Sequence, residues 1–60
     1  MFYEVAILIN NKLIKRFLNF SLIVGYEYET TGFYKVYYHN KFFLVDKASF
    51  ENALKKLKLI

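Results

Sequence analysis

The sequence predicts a small α+β domain: a two-layer structure with a small, mainly antiparallel sheet and two amphipathic helices on one face, in the order β-α-β-β-β-α. Three observations lead to this prediction. Residues 33–38 and 41–45 are dense in aromatic and β-branched side chains, a composition typical of strands. After Val45 the apolar period changes from two to about 3.6, which indicates a helix. Residues 12–20 sort into an apolar and a polar side at about 100° per residue, which indicates a second helix.

Length and composition limit what the chain can be. Sixty residues predict one compact domain over residues 1–60, and a domain of this size buries only roughly 60% of its unfolded surface. The absence of cysteine excludes disulfides and thiolate metal sites within the chain. No apolar run approaches the ~20 residues of a membrane span, and no leader-like segment opens the sequence. We therefore expect no membrane association and a cytoplasmic location.

The first strand and the first helix are predicted from residues 2–20. Phe2–Ile9 is apolar on both faces, which predicts a central strand or one whose second face meets a partner. Asn10-Asn11 interrupts it, and either Asn can cap a following helix. Asn11–Phe20 is predicted to be that helix, with Phe17 on its buried side.

Two more strands are predicted from residues 22–38. Leu22–Glu29 resumes a period of two, and Thr30-Thr31-Gly32 is a plausible turn to the strand at Phe33–Tyr38. With that turn, the expected cross-strand pairs are Tyr28 with Tyr34, Tyr26 with Val36, and Glu27 with Lys35. The opposite charges of the last pair favour this register by a fraction of a kcal/mol.

The C-terminal third predicts a hairpin that leads directly into a capped helix. His39-Asn40 has the length of a two-residue hairpin loop, and Asn tolerates the left-handed backbone of such loops. Asp46 is placed to cap the helix, with Val45 and Phe50 at the positions of a hydrophobic staple. The helix has one apolar stripe, formed by Phe50, Ala53, Leu54 and Leu57.

Residues with catalytic potential are scarce. His39 is the only histidine, which excludes a multi-histidine metal site within one chain, and it falls at a predicted hairpin tip. Glu27 and Glu29 share a strand face, but a solvated pair balanced by Lys35 is the simpler interpretation. Two glycines in the whole chain provide no phosphate-binding loop. The sequence thus favours a non-enzymatic protein with no catalytic residues, no metal and no cofactor.

The positive charge is placed unevenly. The net charge is +4, and residues 31–60 carry all of it, with six lysines against Asp46 and Glu51. Basic clusters on two predicted helices suggest contact with a nucleic-acid backbone. The leading hypothesis is a non-enzymatic binding module, dimeric, that contacts nucleic acid through these residues. The candidate residues are Lys12, Lys15, Arg16, Lys55, Lys56 and Lys58. Solvated lysines that only provide solubility are the alternative.

An aromatic cluster is predicted on the sheet face away from the helices. Tyr37 and Phe42 should lie opposite one another, with Phe33 and Leu44 nearby. Such a surface stacks unpaired bases or forms the core of a dimer. Nearby glutamates repel a phosphate backbone, so we favour a homodimer interface. The alternative function is accordingly a protein-interaction module, such as a small inhibitor or adaptor, without a nucleic-acid role.

The predicted order helix–strand–strand–strand–helix, from Asn11 onward, resembles double-stranded-RNA-binding domains and HicA-type ribonuclease toxins. The toxin family places a catalytic histidine soon after a glycine on a central strand. Here Gly32 is followed by Phe33-Tyr34-Lys35, and His39 comes several residues later. The resemblance implies a third hypothesis, a ribonuclease toxin that uses His39.

Overall fold

A computed structural model describes residues 1–30 and 32–58 and shows a five-stranded antiparallel sheet with one C-terminal helix. The predicted turn residue Thr31 lies outside the described residues. The prediction of a small α+β fold is confirmed, whereas the two helices and the order β-α-β-β-β-α are wrong. The elements are β1 (Phe2–Ile9), β2 (Lys12–Asn19), a 3₁₀ turn (Phe20–Leu22), β3 (Ile23–Thr30), β4 (Phe33–Tyr38), β5 (Lys41–Asp46) and α1 (Lys47–Lys56).

The segment predicted as the first helix is strand β2, which forms an antiparallel hairpin with β1. Asn10 and Asn11 have φ angles of 50° and 63°, the left-handed pair that a two-residue type I′ turn needs. All eight residues of β1 then pair with β2, from Phe2 with Asn19 to Ile9 with Lys12. The left-handed turn at Asn10-Asn11 therefore permits a hairpin here, and pairing with β1 overrides the helical period of the segment.

The sheet is curled because its two edge strands are consecutive in the chain. The strand order is β2-β1-β5-β4-β3, so β2 and β3 lie at opposite edges. The 3₁₀ turn between them allows at most about 14 Å between Asn19 and Ile23, at ~3.3–3.6 Å per residue. A flat sheet would separate its edges by about 19 Å. The edges therefore converge at this end, where the Asn19 N–H donates to the Tyr38 hydroxyl at 3.3 Å.

The core lies between the concave side of this sheet and α1. Its members are buried residues of both layers: Val5, Ile7, Leu18, Val36, Val45, Phe50, Ala53 and Leu54. Phe50 is at the centre, with its ring centroid 5.6 Å from Phe20 and 5.1 Å from both Tyr26 and Tyr34. The predicted apolar stripe of this helix is confirmed, since Phe50, Ala53 and Leu54 are buried and Leu57 is half-buried.

The start of α1 is fixed by side chains, as predicted. The Asp46 carboxylate accepts from the Ser49 N–H at 3.1 Å, which confirms the N-cap. Val45 and Phe50, the predicted staple, are both fully buried. The Ser49 hydroxyl donates to the Asp46 carbonyl at 3.1 Å and accepts from the Ala6 N–H at 3.0 Å. Ser49 thus joins the first turn of the helix to strand β1.

The predicted pairing of β3 and β4 is confirmed in all three pairs, including Glu27 with Lys35. A register shift between Ile23 and Gly25 was not predicted. It turns Ile23 toward the core and leaves Val24 74% exposed, whereas an unbroken period of two from Tyr26 would place Val24 on the core side.

The His39-Asn40 loop is confirmed as a two-residue turn, since Tyr38 pairs with Lys41. The left-handed residue is His39, with φ 63°, and not Asn40 as expected. Within the described residues, no helix has the length and apolar character needed to cross a bilayer.

Candidate interaction surface

The sheet has one face covered by α1 and one that the helix does not cover. Along each strand, residues alternate between the two faces, so the neighbours of the buried core residues lie on the side away from the core. Of these neighbours, Glu4, Ala6 and Lys15 border one flank of α1. We call this second surface the open face. Its members on the four strands other than β3 are Phe2, Glu4, Ala6, Leu8, Leu13, Lys15, Phe17, Asn19, Phe33, Lys35, Tyr37, Phe42, Leu44 and Asp46.

The four residues predicted to form an interface lie together on the open face. Tyr37 and Phe42 are direct cross-strand partners, and their ring centroids are 6.4 Å apart. Leu44, opposite Lys35, and Phe33, opposite Asp46, lie further along β5 and β4 on the same side of the sheet. The sequence alone was sufficient here because the period of these two strands and the length of their loop fix the register.

A lysine lies over this aromatic cluster. Lys35 Nζ is 4.5 Å from the centroid of the Phe42 ring and 5.4 Å from that of Tyr37. The Tyr37 hydroxyl in turn donates to Glu27 Oε2 at 3.4 Å. The rings, the ammonium and the carboxylate therefore form one group of balanced charge, with a cation–π contact on its apolar part.

The open face extends further than predicted, because β2 contributes to it. Leu13 pairs with Leu8 and is 53% exposed, and Phe17 is 66% exposed. Phe17 was predicted to be a core residue, and that prediction is wrong. The signal that could have indicated this strand is the Asn10-Asn11 pair between two apolar segments, because asparagine tolerates the left-handed backbone of a two-residue hairpin turn.

Apolar residues of the open face do not take part in the core. The half-buried residues packed against the core are Tyr3, Ile9, Phe20, Ile23, Tyr34, Tyr38 and Phe43, all on the helix side of the sheet or in the 3₁₀ turn. Phe33, Tyr37 and Leu44 are shielded only in part, and Phe42 is 53% exposed. Exposed clusters of this kind on soluble proteins usually mark interaction sites.

The predicted basic cluster is divided between the two faces. All three basic residues of β2 were expected on one side of a helix. On a strand, Lys12 and Arg16 share the side of the buried Leu18, and Lys15 lies on the open face. The expectation of one uninterrupted basic face on this segment is therefore wrong.

Lys15 nevertheless lies near the helix lysines. A groove between the β1–β2 hairpin and α1 is lined by Lys15 together with Lys55 and Lys56. Glu4, Asp46 and Glu51 line parts of the same groove, so three carboxylates balance its three lysines. Lys58 follows the end of the helix, with φ 61°, and does not line the groove.

The residues with catalytic potential are dispersed. His39 is exposed at the hairpin tip, and within residues 1–30 and 32–58 no three His, Asp or Glu side chains are grouped so as to hold a metal ion. Glu27 lies opposite Lys35 in the pairing of β3 with β4, and Glu29 lies within β3 at a second register shift. The order helix–strand–strand–strand–helix, on which the resemblance to ribonuclease toxins rested, is not present, because β2 is not a helix.

One ionisable pair is structural. The Tyr34 hydroxyl donates to Glu51 Oε2 at 2.7 Å, linking β4 to α1. This hydrogen bond to a carboxylate raises the pKa of Tyr34, and partial burial of the phenol raises it further. This hydrogen bond stabilises the folded state at pH values below the ordinary tyrosine pKa. The stabilisation is lost as the pH rises through the raised pKa of Tyr34, where the hydroxyl loses its proton.

An apolar pocket lies at the gap between the two edge strands. It has a volume of about 220 Å³, lies between the 3₁₀ turn, β3 and α1, and its lining includes Phe20, Phe50 and Leu54. No charged side chain lines it.

No protein-family model, curated protein or solved structure matches this chain.

Proposed function

We propose that this protein is a non-enzymatic interaction module that binds another protein surface through the open face. One observation carries the proposal. Large apolar side chains extend without interruption across the open face, from Leu13 on the edge strand through Leu8 and Leu44 to Phe42 and Tyr37. A second layer of protein would bury them, as α1 buries the opposite face.

The polar groups of the open face favour a protein over a nucleic acid. Lys15 and Lys35 are accompanied by Glu4, Glu27 and Asp46, which gives this surface a net charge of −1. Tyr37, the ring best placed to stack a base, shares its hydroxyl with Glu27. A phosphate backbone would be repelled by these carboxylates, whereas a mixed-charge rim around an apolar centre is usual for protein interfaces.

Hydroxyl-radical footprinting in cells that make the protein tests this proposal. Phe42 and Tyr28 are matched probes, because the first is 53% exposed on the open face and the second is 50% exposed on the other side of the sheet. If the open face is occupied, Phe42 should be oxidised several-fold more slowly than Tyr28, each relative to the urea-unfolded chain. Equal oxidation of the two rings would contradict the proposal.

Nucleic-acid binding is a second candidate function, supported by the groove between the β1–β2 hairpin and α1. Lys15 lies on one wall of this groove, and Lys55 and Lys56 lie on the other. Asn52, on the same helix surface, adds a hydrogen-bonding side chain. Among the described pockets this groove has the most lysines, although Glu4, Asp46 and Glu51 balance their charge.

The triple variant Lys15→Glu, Lys55→Glu, Lys56→Glu tests this second function. It should abolish binding to mixed single- and double-stranded oligonucleotides in a fluorescence-anisotropy titration. Wild-type affinity should fall with salt, with a log–log slope of about −2 for three neutralised phosphates.

The control for this experiment is a variant with the same charge change outside the groove, Lys12→Glu, Arg16→Glu, Lys41→Glu. It should retain most of the affinity if the groove is the site. Equal losses in the two variants, or no binding at low salt, would contradict a specific role for the groove.

A further inference from the structure

Strand β2 has an outer edge with which no other strand within residues 1–30 and 32–58 pairs. It is the terminal strand in the order β2-β1-β5-β4-β3. We propose that this edge binds an extended, acidic segment of another protein, which adds to the sheet as a sixth strand. This site goes beyond the proposed function, because it depends on the backbone of β2 and not on the aromatic cluster of the open face.

The hairpin determines which backbone groups of β2 point outward. Ile9 and Lys12 flank the two-residue turn, so each donates to the other across the ladder. Every second residue after Lys12 is hydrogen-bonded to β1 in the same way. The N–H and C=O groups of the residues between them, Leu13, Lys15 and Phe17, therefore point away from the sheet.

Two hydrogen bonds agree with this geometry and limit the length of the free edge. The Lys15 carbonyl accepts from the Arg16 guanidinium at 3.0 Å, and the Asn19 N–H donates to the Tyr38 hydroxyl at 3.3 Å. The second bond lies at the end where the two edge strands converge. The stretch open to an added strand is therefore residues 12–17, of which all but Ile14 are exposed.

Of the two edges of the sheet, β2 has the more regular row of hydrogen-bonding groups. Its eight residues pair with β1 without a register shift, whereas the pairing of β3 with β4 has two shifts. Irregularities of this kind interrupt the ladder and protect an edge from further pairing. An incoming strand therefore finds an unbroken ladder only on β2.

The charge of β2 favours an acidic partner. The strand contains Lys12, Lys15 and Arg16 and no acidic residue, which gives it a charge of +3. The only carboxylate on the neighbouring strand β1 is Glu4, opposite Phe17. Lysines on an edge oppose unwanted strand pairing, and here they oppose the pairing of two β2 edges, each with +3. An acidic segment instead meets opposite charges along the ladder.

The side chains of β2 also define the sequence pattern of the segment. Leu13 and Phe17 lie on the open-face side of the strand, and Lys12 and Arg16 lie on the other side. A strand that alternates apolar and acidic residues places its apolar side chains beside the first pair and its carboxylates beside the second. The ligand class is therefore an extended segment in which apolar and acidic residues alternate.

Amide hydrogen exchange measured by NMR tests the proposal with a synthetic eight-residue peptide in which valine alternates with glutamate. In the free protein, the amides of Leu13, Lys15 and Phe17 should exchange without protection. With the peptide at ten times its dissociation constant, their exchange should slow about ten-fold, because the added strand must dissociate first. The amides of Tyr26 and Tyr28, which point outward on β3, are the matched control and should exchange at an unchanged rate.

Two further peptides distinguish strand addition from simple charge attraction. A peptide with lysine in place of glutamate should not bind. A peptide with proline in place of valine keeps the charge but lacks the N–H groups of a regular ladder, so it should not protect the three amides. Equal protection by the proline peptide would overturn the proposal, and so would protection on β3 in place of β2 or no protection by the valine peptide.

Charge reversal on β2 tests the contribution of its cations. Lys12→Glu with Arg16→Glu should raise the dissociation constant of the valine–glutamate peptide at least ~10-fold, since attractive cross-strand pairs become repulsive. Lys41→Glu with Lys47→Glu makes the same charge change at exposed positions outside β2 and should leave the affinity within about two-fold. Lys15→Glu replaces the first variant if its amide spectrum shows that it is unfolded. Equal affinities of the folded variants would contradict recognition by charge.

A second copy of the chain is the other occupant that this experiment distinguishes. Protection of the three amides on concentrating the chain without peptide would show that a second copy occupies the edge, and would overturn the proposal. The footprinting experiment on Phe42 tests the open face separately, so failure of strand addition and failure of the proposed function are distinguishable.

Discussion

Replacing Phe50 by Ala should destabilise the domain by about 3–5 kcal/mol, the usual cost of removing a buried phenylalanine. The Phe50 side chain is fully buried, and its ring contacts aromatic rings of the 3₁₀ turn, β3 and β4. A 60-residue domain has a total stability of roughly 3–9 kcal/mol. We therefore expect the variant to be largely unfolded at room temperature, with its urea midpoint close to zero.

Phe17→Ala is the matched control, because the same atoms are removed from a side chain that is 66% exposed on β2. It should change the free energy of unfolding by less than about 1 kcal/mol. Equal losses of stability would contradict the strand assignment of residues 12–19.

Replacing Ser49 by Ala should cost about 1–2 kcal/mol and should loosen the contact between α1 and β1. The change removes a hydroxyl that accepts from the Ala6 N–H and donates to the Asp46 carbonyl. The Ala6 N–H, which is partly buried, then has no protein acceptor, a loss of about 1–3 kcal/mol. The higher helix propensity of alanine returns a few tenths of a kcal/mol. Hydrogen exchange of the Ala6 amide should accelerate more than that of other amides in β1.

Ser49→Thr and Ser21→Ala complete this experiment. The threonine keeps the hydroxyl, so most of the protection of the Ala6 amide should return. Ser21 is exposed in the 3₁₀ turn, and its replacement should leave both stability and exchange unchanged. Unchanged exchange at Ala6 in Ser49→Ala would show that the hydroxyl does not hold the helix to the strand.

The sequence determined those parts of the structure that depend on residues close together in the chain. The strand at Phe2–Ile9, the pairing of Glu27 with Lys35 and the capping of α1 by Asp46 were all predicted and are present. So is the shared face of Phe33, Tyr37, Phe42 and Leu44. Strand alternation, short turns and side-chain caps act over a few residues, and their signals remain readable without the tertiary structure.

Only the tertiary structure shows that residues 12–19 form a strand and not a helix. Their apolar side chains lie on both faces of a strand, Leu18 in the core and Phe17 on the open face, so a period of two does not separate apolar from polar residues. Strand β1 is apolar on both faces and pairs with β2 along its whole length, which satisfies the backbone of both strands. The free energy of that pairing overrides a helix propensity of a few tenths of a kcal/mol per residue.

The residues of the candidate site also depend on whether residues 12–19 form a helix or a strand. With β2 as a helix, Lys12, Lys15 and Arg16 would form one basic face, and the open face would end at β1. With β2 as a strand, the basic residues are divided between two faces, and Leu13 and Phe17 extend the apolar surface to the sheet edge. A change of period from 3.6 to 2 moves side chains from one face to the other, which is why surface chemistry could not be predicted before the long-range pairing was known.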